Sequence, residues 1–130
     1  MRIQIEARQV RACAVLADTP TARAVWAALP LEGCANVWGD EIYFAIPVDC
    51  GEEPDARQDV AVGDLAFWPP GQAFCVFFGP TPVSRGSAPR AYSPVNVFGR
   101  VEGDARVFSA VRDGAPVRVS RASEECLPCP

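Results

Sequence analysis

Gly63-Asp64-Leu65-Ala66-Phe67-Trp68-Pro69-Pro70-Gly71-Gln72-Ala73-Phe74-Cys75-Val76-Phe77-Phe78-Gly79-Pro80-Thr81-Pro82 is the stretch that decides the fold. It holds four of the seven Phe and one of the three Trp. It reads as two short β-strands joined by a stiff, proline-bearing turn, with a second turn at its end. Alternation in the second strand sends Phe74, Val76 and Phe78 to one face and Cys75 and Phe77 to the other. One set then packs a core, while the other meets a helix or solvent. Trp68, beside the Pro69-Pro70 turn, is expected to stay partly exposed, so that the block lines a cleft.

Working outward, Ile3 and Ile5 alternate with Arg2, Gln4 and Glu6, the pattern of a half-buried strand, and Arg11 to Ala17 is its hairpin partner. Asp18-Thr19-Pro20-Thr21 is a helix start, with a capping side chain followed by proline at the first helical position. Ala22, Val25, Trp26 and Leu29 fall on one helical face, and Pro30 stops the helix. Leu31 to Trp38 reads as an irregular strand, and Glu41 to Pro47 as a strongly β-forming run after the Gly39-Asp40 turn. Residues 49–57 form a polar loop, and Val83 to Pro94 the long, turn-rich loop of the molecule. Val95 to Val101 is a further strand. Asp104 caps a short second helix with Val107, Phe108 and Val111 on its apolar face, and Val117 and Val119 belong to a last strand. The elements predict a mainly β, closed barrel with one clear helix and one short helix. Residues 1–122 form a single domain in this reading, and 123–130 a flexible tail.

Composition narrows the chemistry. The chain has 130 residues, enough for one domain with a real core, and is 49% hydrophobic, as a soluble globular protein would be. Its apolar runs are too short for a bilayer and its start lacks a secretion signal, so the expected location is cytoplasmic, with no membrane partner. There is no His, and all 12 basic residues are Arg. Ser-His-Asp and Cys-His catalysis, His-ligated zinc, a lysine Schiff base and a P-loop lysine are thereby excluded. A net charge of -4 with scattered Arg argues against a nucleic-acid partner. Cys13 and Cys75 read as small core side chains on strands. Cys126-Leu127-Pro128-Cys129 lacks the second ligand pair that a structural zinc site needs, and lacks the strand–helix context of a redox motif. No metal and no cofactor are expected.

The residues resemble a known fold family. Gly63 to Trp68 and Gly71 to Phe78 are similar to the cyclophilin pattern of a G-x-L-S-M-A strand, a glycine-bearing loop and a G-S-Q-F-F-I strand. Thr81-Pro82 with Val97-Phe98-Gly99-Arg100-Val101-Glu102-Gly103 resembles T-P…V-F-G-R-V-x-x-G. Over nearly its full length the chain is similar to a small microbial family of cyclophilin-like barrels of uncharacterised function. The marks are Asp18 to Ala22, Trp38 to Phe44, Trp68-Pro69-Pro70-Gly71 and Phe77 to Pro82. The resemblance implies an eight-stranded cyclophilin-like barrel and assigns no reaction. It also sets Ile42-Tyr43-Phe44-Ala45-Ile46-Pro47 against the cyclophilin F-H-R-V-I-P strand. Phe44 then stands in the place of the catalytic arginine, and it supplies neither charge nor hydrogen bonds to a twisting peptide.

The candidate ligand-binding set is Tyr43, Trp68, Phe74, Phe78, Glu41 and Arg100, with no catalytic residue assigned. Large aromatics fill cores as readily as they line grooves, and Trp and Tyr suit a groove because each carries one polar atom. Asp40 and Glu41 are the best acidic candidates. Adjacent strand residues face opposite ways, so they do not form one acid–base pair, and a solvated hairpin end is the plainer reading. Asp64 is expected to bond nearby backbone amides, and Arg100 to make an ion pair across the barrel wall or hold a ligand carboxylate. The sequence thus points to a binding module for a small or peptidic ligand in an aromatic groove. The alternatives are a divergent peptidyl-prolyl cis-trans isomerase and an accessory domain of an amide-hydrolysing complex.

Overall fold

The structure is a computed structural model whose described residues are 1–122. The Cys126–Cys129 pair and the expected tail lie outside them. The chain runs β1 (Arg2–Ala7), β2 (Val10–Leu16), α1 (Pro20–Ala28), β3 (Leu31–Cys34), β4 (Asn36–Val37), β5 (Glu41–Ala45), β6 (Arg57–Asp59), β7 (Asp64–Trp68), β8 (Ala73–Phe77), β9 (Arg90–Val101) and β10 (Pro116–Arg121). Two 3-10 helices, Pro69–Gly71 and Ala105–Ala110, complete it. The strands pair antiparallel in the order β3-β10-β1-β2-β9-β7-β8-β5-β4, and β6 pairs β9 off this path.

The fold is mainly β, as expected, but the sheet is not closed, and its ten strands replace the anticipated closed barrel of eight. The physical cause lies at Ala35, inside the expected Leu31–Trp38 strand. Its N–H donates to the Ala115 carbonyl at 2.8 Å and its carbonyl accepts from Gly114 N–H at 2.7 Å. With both groups held by the turn before β10, the chain breaks into β3, which pairs β10, and β4, which pairs β5. No ladder joins these two ends.

The main core forms on the sheet's inner face from alternate residues. Ile3 and Ile5 of β1, Ile42 and Phe44 of β5, Leu65 and Phe67 of β7, and Phe74 and Val76 of β8 are all buried there. Phe74 stacks on Phe44 at 5.1 Å and meets Phe98 edge-on at 5.2 Å. Helix α1 begins as the sequence dictates: Thr19 Oγ1 accepts from Ala22 N–H at 3.0 Å, and Pro20 takes the first turn. Ala22 and Val25 enter the core, while Trp26 lies under the Arg121 guanidinium at 4.5 Å. The second helix is 3-10 rather than α. Its buried residues are Ala105 and Phe108, with Val111 buried just beyond, a spacing of three that matches the eclipsed faces of a 3-10 turn.

Two loop readings are corrected. β6 (Arg57–Asp59) begins at the last residue of the expected polar loop, and β9 starts at Arg90, so the last five residues of the expected loop Val83 to Pro94 are strand. The pairings Arg57↔Val95 and Asp59↔Arg90 hold this ribbon over the outer face of the sheet. Asn96, 1% exposed, ties down the loop before β6. Its amide donates to Gly51 O at 2.9 Å and Thr21 Oγ1 at 3.2 Å, and accepts from Glu53 N–H at 2.8 Å. Thr21 completes the network by donating to the Glu53 carboxylate. A buried amide satisfied this fully fixes the loop in one place.

Candidate functional site

The outer face carries a second, smaller apolar cluster of Val60, Ala66, Ala73, Cys75, Phe77, Ala91 and Val95, with Tyr43, Trp68 and Val97 packed against it. Register builds it. Tyr43 on β5 lies opposite Cys75 on β8, which lies opposite Ala66 on β7. One pleat on, Ala45, Ala73 and Trp68 align, and Glu41 sits opposite Phe77 on the other side. Ala66 and Ala73 are packed within the cluster, and the small side chains of Cys75 and Ala91 border a hollow walled by the larger ones. β9 then crosses above with Ala91, Tyr92 and Val95.

The result is a cavity of about 270 Å³ lined by Trp38, Glu41, Tyr43, Trp68, Cys75, Ala91, Tyr92 and Val95. Tyr92, 68% exposed, stands at its rim between two indoles. Its ring meets Trp38 edge-on at 6.1 Å and Trp68 edge-on at 6.0 Å. Trp68 is oriented from two sides. Its Nε1 donates to Ser93 Oγ at 2.6 Å, and its six-membered ring lies so close over Gly71 that an added Cβ would come within 2.6 Å of it. Only glycine at the end of the Pro69-Pro70 turn permits that approach.

Glu41 is the one carboxylate among the described residues that lines this cavity, and it is only 5% exposed. Burial among rings and aliphatic groups raises its pKa from 4.5 to about 7, and the neighbouring Cys75 thiol, a hydrogen-bond donor to it, pulls it partly back. Cys75 is itself fully buried, and burial together with the Glu41 charge pushes its thiol well above the ordinary range. It therefore stays protonated and serves as a weak donor rather than a nucleophile. Among the described residues no group of three or more His, Cys, Asp or Glu is arranged to hold a metal ion, and no helix is long and apolar enough to cross a membrane.

The structure brings Glu41, Tyr43 and Trp68 of the predicted set together and separates the other three. Phe74 and Phe78 belong to the main core on the opposite face, at 0% and 4% exposure. Arg100 points outward from β9, level with Asp64 and Val15, and makes no ion pair among the described residues, contrary to the expected bridge. Asp64 behaves as expected, accepting from Ala61 N–H at 2.9 Å. Glu41 is not at a solvated hairpin end: Trp38 and Glu41 exchange backbone hydrogen bonds across the turn, which turns the carboxyl inward. Tyr92 was missed because Pro89, Pro94 and the small residues around it read as loop. Its aromatic ring beside Ser93 was the one signal available.

The chain belongs to the cyclophilin-like family, whose model matches residues 1–120. It is similar to the solution structure of a hypothetical protein from Archaeoglobus fulgidus, at 39% identity over 94% of this chain and 95% of that one, with a TM-score of 0.78. No curated protein matches.

Proposed function

We propose that this domain is a binding module for a small ligand held in the outer-face cavity. The observation that carries the reading is a hollow of about 270 Å³ walled by two Trp and two Tyr, with a single buried carboxyl inside. Small-molecule sites have this make-up, mostly apolar with a few placed polar groups, and the volume is near the lower end of their roughly 300–1,000 Å³ range. The ligand is accordingly a small molecule, or one side chain of a peptide. Trp38 and Trp68 both line the cavity, so fragment binding should change intrinsic fluorescence and shift the Trp68 indole N–H resonance. Fragments that bind only elsewhere, with neither indole affected, would defeat the assignment.

The isomerase reading finds less support. Phe44, in the position of the cyclophilin arginine, is 1% exposed and stacked on Phe74 in the inner core, and no Arg lines the cavity. A guanidinium that stabilises the twisting amide is the group such catalysis would need. The expected result of a protease-coupled assay on a proline tetrapeptide is no acceleration of cis–trans exchange. A gain of about a thousandfold, the order a working electrostatic site supplies, would reverse this conclusion.

A further inference from the structure

We propose that the cavity is an aromatic cage for an organic cation, a methylated ammonium group, with the Glu41 carboxylate as its counter-ion. This deepens the small-ligand reading above and rests on it. Three features of the cavity favour a cation over a neutral guest. First, its walls are electron-rich. Trp38, Tyr43, Trp68 and Tyr92 all line it, and the Tyr92 ring stands at 71° to Trp38 and 85° to Trp68. The edge-on contacts leave these rings unstacked around the cavity they line, and aromatic rings attract desolvated cations, Trp most strongly.

Second, the polar group inside is an acid without a fixed basic partner. Glu41 makes no ion pair among the described residues, and no Arg lines the cavity. Arg90, at the start of β9, does not line the cavity: its Nη2 donates to Gln58 Oε1 at 3.3 Å, and its Nε lies 3.4 Å from Asp59 Oδ1, buried and without a hydrogen-bond partner among the described residues. A buried carboxylate with no counter-ion is costly, and a bound cation supplies the missing charge. Third, a methylated ammonium donates few or no hydrogen bonds, so it loses little water on entry. It suits a lining whose other groups are rings, aliphatic side chains and one thiol.

Linkage gives a signature. The titratable groups facing Glu41 are Cys75 from β8, Tyr43 from its own strand and Tyr92 from β9. Burial pushes the Cys75 thiol well above its ordinary range. Glu41, at about 7, titrates near neutral pH. A cation prefers the ionised acid, so its affinity should rise with pH up to about 7 and level off above, with a limiting slope of about tenfold per pH unit. A neutral ligand that accepts a hydrogen bond from the protonated acid would show the opposite trend.

The test is a titration of the unmodified protein with choline and with its uncharged isostere, 3,3-dimethylbutan-1-ol, at pH 5.5 and 8, read by tryptophan fluorescence and by the Trp68 indole resonance. The expected result is choline binding favoured at least about tenfold over the isostere at pH 8, with that preference shrinking at pH 5.5. Glu41→Gln, close to isosteric, should reduce the preference and abolish its dependence on pH, and a preference that keeps its pH dependence in this variant would overturn the role of Glu41. If both compounds bind alike, or the isostere binds better, the cation proposal is overturned while the small-ligand reading stands. If neither compound perturbs either indole but other fragments do, the cation proposal again fails alone. If no fragment of any class does, both readings fall.

Discussion

Phe74→Ala will destabilise the protein by about 3–5 kcal/mol, and Trp68→Ala by clearly less. The two residues lie on neighbouring strands, one register step apart, and what separates them is the face of the sheet. Phe74 is fully buried, stacked on Phe44 and edge-on to Phe98, so its removal leaves a hole in a close-packed interior that the flanking strands cannot close. Trp68 is half-buried on the outer face and borders an existing cavity, so truncation there enlarges a space already open. The Trp68 change loses the indole bond to Ser93, the packing over Gly71 and contacts with the smaller outer-face cluster, but Trp68 takes no part in the main core. Denaturant unfolding followed by circular dichroism measures both, with Phe78→Ala as a second inner-face control. Equal losses for Trp68→Ala and Phe74→Ala would make Trp68 a core residue and deprive the proposed cage of its main wall.

That contrast also shows what the sequence could and could not say. Alternation within residues 73–78 separated Phe74, Val76 and Phe78 from Cys75 and Phe77, because strand period fixes faces wherever a strand is long enough to display it. It could not say which face holds the pocket. Phe74 and Phe78 were grouped with Trp68 on composition, and register across β5, β8 and β7 was needed to part them. Strands β4 and β6 span only Asn36–Val37 and Arg57–Asp59, too short for any period to appear. Their existence depends on partners distant in the chain, and the hydrogen bonds of Ala35 to residues 114 and 115 that open the sheet are of the same non-local kind. Glu41 was misread for a related reason. A charged residue after a Gly-Asp turn is usually solvated, but the turn closes on Trp38 and Glu41 shares a cavity with Ala91, Tyr92 and Val95 of β9, a segment whose Pro94 reads as loop. Tyr92 was lost with that same segment.

The burial of Glu41 has a cost that can be measured without any ligand. In the unfolded chain its carboxyl ionises near 4.5, and in the fold only near 7. Between these values the folded protein retains a proton that the unfolded chain has released, so stability falls as pH rises. This contribution is fully present below about pH 4.5 and is lost as pH passes through about 7. Over the whole window the change is about 3 kcal/mol, since each pH unit of separation corresponds to roughly 1.4 kcal/mol. Glu41→Gln keeps the shape of the side chain and cannot ionise, so its stability should lack this decline. The quantity to measure is the difference in unfolding free energy between wild type and Glu41→Gln from pH 4 to pH 8.5, in which the titrations common to both proteins cancel. The variant is expected to gain on the wild type steadily across the window and to plateau above it. A difference that stays level would mean that the carboxyl is solvated in the free protein, and Glu41 would then no longer be a buried acid awaiting a partner. A carboxyl that is held at such a cost among four aromatic rings is hard to explain by stability, since Gln in the same place would serve the fold better. Its presence fits the proposed cation, a ligand that would need its charge.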